Sequence, residues 1–101
     1  MDLETTAKAL KELGHPTRLS IFKLLVKAGH RGLPVGELQL GLSIPNSTLS
    51  HHIAKLVSVD LVEQNRQGRV LFCIPQYEVL DKIIAFLGDE CCIDQAKKNT
   101  P

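Results

Sequence analysis

Cysteine is scarce in this 101-residue chain, with three residues, two of them adjacent. That number and spacing do not make a disulfide framework, so an apolar core must hold the fold and the thiols are expected to be reduced at rest. Long apolar runs are missing too. None approaches the roughly 18 residues a membrane span needs. The acidic start, Met1-Asp2-Leu3-Glu4, lacks the apolar centre of a secretory leader. Together these absences predict a cytoplasmic protein with no membrane partner. There is no glycine-rich phosphate loop and no metal-hydrolase motif. The cysteines near one end and the histidines on an exposed helix do not compose a nucleophile, base and orienting group, so catalysis is not expected.

What is present is an ordinary globular composition, 44% apolar and 23% charged, enough for one domain with one modest core. The net charge is only +1, but it is unevenly spread. Between His15 and Pro75 seven Lys and Arg face three acids, a net +4, whereas residues 1–14 carry −1 and residues 76–101 carry −2. A basic middle between acidic ends suits a middle that meets phosphate.

Periodicity gives the element order. Leu3, Ala7, Leu10 and Leu13 recur at helical spacing, and Gly14 and Pro16 mark the break to a second helix. Leu19, Ile21, Phe22, Leu24, Leu25 and Val26 make that second helix apolar nearly all round, hence central, and Gly29 closes it. A short third helix fits Val35 to about Leu40. A fourth is expected from Ser43, as N-cap, to Val57, with Leu49, Ile53, Leu56 and Val57 on its inward face. Two helices joined by a short turn containing Gly41 are a helix–turn–helix signature. Leu61-Val62-Glu63 and Val70 to Ile74 then read as a hairpin around a turn at Asn65–Arg69. A last helix is expected from Tyr77 to Cys92, with Leu80, Ile83, Ile84 and Leu87 inward. The expected fold is mainly α with a β-hairpin wing, in the order ααααββα. It forms one domain over residues 1–92, and residues 93–101 form a flexible polar tail.

The fourth helix carries the strongest functional signal. Asn46 and Ser50, and Ser47 and His51, lie four apart and share a face opposite the apolar stripe. With Thr48 they are short polar groups able to reach base edges or phosphates. A face chosen for solubility alone would carry Lys and Glu, yet the first charge on this helix is Lys55. Arg66 and Arg69 flank Gln67-Gly68 at the hairpin tip, where they either dress an ordinary charged turn or contact backbone and minor groove. A winged helix used for protein contacts alone would not need both sets together.

Several motifs resemble the ArsR/SmtB (arsenic-repressor) family of bacterial winged helix–turn–helix repressors: Leu13-Gly14-His15-Pro16-Thr17-Arg18-Leu19, Ser47 through Leu56, Asp60-Leu61-Val62 and Gly68-Arg69. The resemblance spans about residues 5–90. It implies a homodimer joined through the first and last helices, bound to an imperfect inverted repeat of double-stranded operator DNA and released by an inducer. Two modules about one helical turn apart would read two half-sites, which also favours a dimer. Carried over residue by residue, Asn46, Ser47, Ser50 and His51 match recognition-helix contacts, and Arg66 and Arg69 match the wing.

The same resemblance bears on the inducer. Where some members place cysteines at the start of the third helix, this chain has Pro34 and Gly36. Where others place Asp and His along the last helix, it has no histidine beyond His52. What remains is Cys91-Cys92, a soft-ligand pair suited to As(III), Sb(III) or an organoarsenical. No cofactor is expected to be required. Some arsenic-responsive members add a cysteine downstream, which is absent here, so Cys73 is the candidate third ligand. Three readings of the pair stay open: metalloid sensing, thiol-redox sensing by disulfide or persulfide, and an inert pair. Cys73 alone also reads as a small buried hydrophobe. His51 and His52 point about 100° apart on a helix and cannot chelate together.

Overall fold

The computed structural model describes residues 1–98. Helix α1 (Leu3–Leu13) starts where the Asp2 carboxylate accepts the Thr5 N–H at 2.7 Å, and α2 spans Pro16–Ala28. A two-residue strand β1 (Leu33–Pro34) leads into α3 (Val35–Leu42) and α4 (Asn46–Ser58). Strands β2 (Val62–Gln67) and β3 (Val70–Pro75) form the hairpin, and α5 (Tyr77–Gly88) and α6 (Ile93–Lys98) follow. The architecture is the expected winged helix–turn–helix, with helices packed on a small antiparallel sheet.

The apolar character of α2 places it at the centre. Ile21, Phe22 and Leu25 join Leu38 of α3, Leu49, Ile53 and Leu56 of α4, Leu61 and Val62, Cys73 of β3 and Ile83 of α5 in one core. Burying such side chains contributes about 1.5–3 kcal/mol each, which fixes the inner face of α4 and so leaves its polar face outward.

Several local expectations change. Ser43 is not an N-cap; it ends α3 in the left-handed conformation (φ 55°, ψ 41°). Helix α4 begins only after Pro45, which is extended at φ −58° and ψ 146°. A proline disfavours helical geometry in the residue before it, so the N-cap moves two residues on, from Ser43 to Pro45. The sheet has a third strand, in the order β1-β3-β2, with Leu33 opposite Cys73 and Pro34 opposite Phe72. A two-residue strand has no period to read. Gly32 makes its approach feasible: φ is +73°, and an added Cβ would stand 2.0 Å from the Cys73 carbonyl oxygen. The hairpin is longer than expected and its tip tighter. Gln67 pairs with Val70, so Arg66 lies within β2, opposite Leu71, and only Gly68 and Arg69 make the turn. Gly68 supplies the positive φ of +64° there.

The ends differ most. In α1 the core side runs through Thr6 and Ala9, while Leu3 and Ala7 are exposed. In α5 Ile83 is buried, whereas Ile84 and Leu87, expected to point inward, are 59% and 62% exposed. Helix α5 stops at Gly88 because Asp89 is extended and Glu90 and Cys92 have positive φ. Cys91 and Cys92 therefore lie in a turn, and Ile93–Lys98 is a short helix where a tail was expected. Residues 99–101 of that tail lie outside the described residues. The result is a drawn-out chain of 65 × 22 × 21 Å.

Candidate nucleic-acid interface

Anchoring of Leu49, Ile53 and Leu56 in the core sets the rotation of α4. Asn46, Ser47, Thr48, Ser50 and His51 are all exposed, and among the described residues none of their side chains is held by a hydrogen bond within the protein. Lys55 is half-buried near the helix's end. The first turn of α4 has no side-chain cap, so its backbone N–H groups stay open beside Asn46 and Ser47. With the partial positive charge of a helix N-terminus and no acid anywhere in α4, this end suits phosphate.

The hairpin stands beside this face. Asn46, Ser50 and Ile53 of α4, Gln64 of β2, and Arg69, Val70 and Leu71 at the tip and start of β3 line one concavity of about 670 Å³, closed on the far side by α3. Helix and wing thus share a single groove. Of the expected residues, Asn46, Ser50 and Arg69 meet there. Ser47, Thr48 and His51 lie on the open side of the helix, and Arg66 is exposed on β2. Gln64 is an addition; its place in the groove follows from strand register, which the short polar stretch after Val62 left open. Glu37 of α3 is a carboxylate on the rim.

Behind α4 lies a polar cluster that residue spacing missed. His52 is buried and faces Arg18 of α2, with Nη1 of Arg18 3.1 Å from Nδ1 of His52. Arg18 reaches on to Glu12 of α1, 3.7 Å from Oε1. Burial, and then the charges of His15 and Arg18, hold the His52 imidazole below its ordinary range. His15 has partners as well: its Nδ1 accepts the Thr17 N–H at 3.1 Å, and its ring lies 4.7 Å from that of His52. The signal available in the sequence was the one arginine of α2, set in its first turn apart from the exposed Lys23 and Lys27 that follow.

The thiols divide into two settings. Cys73 is fully buried on the central strand; burial pushes its thiol up, partly offset by the Gln64 amide 3.9 Å away. Cys91 and Cys92 are exposed, with Sγ atoms 3.1 Å apart, and their shared hydrogen bond raises the Cys92 thiol. The structure does not gather all three. Among the described residues no three His, Cys, Asp or Glu side chains cluster as a metal site.

A helix-turn-helix domain family matches residues 13–65 of the chain. The transcriptional repressor PagR of Bacillus anthracis is 38% identical over 88 residues, covering 87% of this chain and 86% of that protein. The HTH-type transcriptional regulator YgaV of Escherichia coli is 33% identical, covering 88% of each. The crystal structure of PagR superposes with a TM-score of 0.69 at 34% identity, over 84% of this chain and 94% of that one. An ArsR-like transcriptional regulator from Rhodococcus sp. RHA1 has a TM-score of 0.76 at 20% identity, over 94% and 86% of the two chains, a likeness of fold.

Proposed function

Because the chain belongs to the ArsR/SmtB family of winged helix–turn–helix transcriptional repressors, we propose that it represses as a cytoplasmic homodimer, reading an imperfect inverted repeat with α4 and the wing. The shared groove carries this reading: Asn46, Ser50 and Arg69 converge on one concavity, with Ser47, Thr48 and His51 beside it. In the reading, Ser50 and His51 approach base edges, while Arg66, Arg69 and Lys55 neutralise phosphates. The dimer rests on the ends of the chain. Leu3, Ile84 and Leu87 are 73%, 59% and 62% exposed, and in this reading a second copy covers them.

In this proposal the inducer binds Cys91 and Cys92. Two exposed sulfurs 3.1 Å apart suit the two thiol-exchangeable positions of an organoarsenical. As(III) or Sb(III) would take a third donor, and Cys73, buried in the core, does not supply it within one protomer. Each arsenic–sulfur bond forms as a thiol proton and an arsenic-bound hydroxyl leave together as water, so the exchange releases no net proton while the thiols are protonated. A second reading, thiol-redox response, is favoured by the same exposure: two accessible thiols per protomer permit bridges between subunits. Gel shift on the DNA upstream of the protein's own gene, with arsenite, antimonite, cadmium, zinc and an oxidant in turn, tests both. Release by the arsenic and antimony species alone supports the first, and release by oxidant alone supports the second. Absence of any shift at low salt overturns the DNA reading.

A further inference from the structure

Three helices meet at one guanidinium. Arg18 and His52 are each only 9% exposed. From α2, Arg18 donates through Nε to the Glu12 carbonyl oxygen of α1 and approaches the Glu12 carboxylate, while its Nη1 points at Nδ1 of His52 on α4. A guanidinium has donors only and keeps its charge at any relevant pH. Nδ1 of His52 must therefore offer a lone pair, which makes the ring neutral with its proton on Nε2. The charged or titratable groups around this ring are His15 and Arg18 at the start of α2, His51 and Lys55 on α4, and Glu12 from α1 behind Arg18. Glu12 is the acid of this set, and Arg18 already engages it.

We propose that the Arg18–His52 contact positions the reading face of α4 against α1 and α2, and that it holds only while His52 is unprotonated, so sequence-specific DNA binding disappears on acidification. The proposal rests on α4 being the reading helix. A proton on Nδ1 would set N–H against N–H and add a second cation beside Arg18, with no free carboxylate to accept either. His51, one residue before His52, and Ser50, two residues before it, ride on the same backbone, so movement of His52 carries them off the bases. Arg18 and His52 are positioning residues and touch no DNA in this scheme. Burial and the neighbouring cations keep His52 neutral at pH 7. The Arg18–His52 hydrogen bond is therefore whole at neutral pH and breaks as pH falls through a value below that of a free imidazole.

The test takes a duplex that the full chain selects from a random-sequence pool at about pH 8. Affinity for this duplex and for an unrelated one is followed down to about pH 5.5 at fixed ionic strength. Affinity for the selected duplex should fall about tenfold per pH unit for each protomer once His52 titrates, hence about a hundredfold for the dimer, as one obligatory deprotonation per reading helix requires. Affinity for the unrelated duplex should not fall, because the phosphate contacts that dominate non-specific binding do not depend on the Arg18–His52 contact. His52→Asn keeps an acceptor near the Nδ1 position and cannot titrate, so its profile should be flat. Should that variant not fold, nitrogen NMR of the intact protein decides: Nδ1 of His52 must be bare at pH 7 and gain its proton over the range in which specific binding disappears. The proposal is overturned by an Asn variant with the unaltered pH response, by parallel weakening on both duplexes, or by a proton on Nδ1 at pH 7. A Ser50→Ala, His51→Ala protein that selects the same duplex equally well overturns the reading-helix assignment instead. A flat profile for the unsubstituted protein, with that double variant impaired, overturns the positioning proposal alone.

Discussion

The phenolic O–H of Tyr77 donates to the Val26 carbonyl oxygen at 2.8 Å, joining the first residue of α5 to the last turn of α2 across 51 positions of sequence. The His30 ring meets Tyr77 edge-on at 4.6 Å. This pair roots α5 on the core while Ile84 and Leu87, further along, face solvent.

Tyr77→Phe keeps the ring and removes the donor. It should cost about 0.5–1.5 kcal/mol in urea unfolding, the usual net worth of one hydrogen bond. A destabilisation below a few tenths of that unit would show that water replaces the Tyr77 hydroxyl at no cost.

Helix and wing should fail differently. Ser50→Ala with His51→Ala should relax sequence choice, at about 1–3 kcal/mol for each base edge no longer read. Arg66→Ala with Arg69→Ala should weaken all duplexes alike and lower the slope of log affinity against log salt by about one for each phosphate no longer neutralised. Equal loss of specificity from the two pairs would reverse the assignment of roles.

The exposed stripe of α5 gives a direct test of assembly. Ile84→Asp with Leu87→Asp places two charges where a partner's apolar surface is expected, and a buried unpaired charge is strongly unfavourable. Sedimentation should show a monomer with an unchanged helical spectrum and weakened binding to paired half-sites. A dimer that persists would move the interface elsewhere.

Cys91→Ser and Cys92→Ser, singly and together, should leave DNA binding intact, because both side chains lie in the turn beyond α5, outside the groove. Release by arsenite should disappear in the double variant. Arsenite release that survives it would discard the site.

Much of this was legible in the chain itself. Core helices with several large apolar residues announce their position by period alone, so α2 and the inward face of α4 were plain, and with them the outward face from Asn46 to His51. The resemblance in Leu13–Leu19 and Ser47–Leu56 pointed to the fold that the structure displays. The ends of elements were less legible. The helical break at Ser43–Pro45, the short strand β1 and the end of α5 depend on single backbone conformations, such as φ 55° at Ser43 and +73° at Gly32, which neighbouring groups select.

Sequence by itself determined the class of protein and the surface proposed to read DNA, because burying one stripe of a helix necessarily exposes the other. Only the tertiary structure decided which residues meet across elements. It drew Asn46, Ser50 and Arg69 to one groove, parted Cys73 from Cys91 and Cys92, and seated Arg18 between Glu12 and His52. It also left Ile84 and Leu87 outside, because the core meets α5 through Val79, Leu80 and Ile83, so that Ile84 points aside from it and Leu87 lies a turn beyond Ile83. Periodicity says that an apolar face needs a partner; the geometry of the remaining elements says whether that partner is the chain's own core.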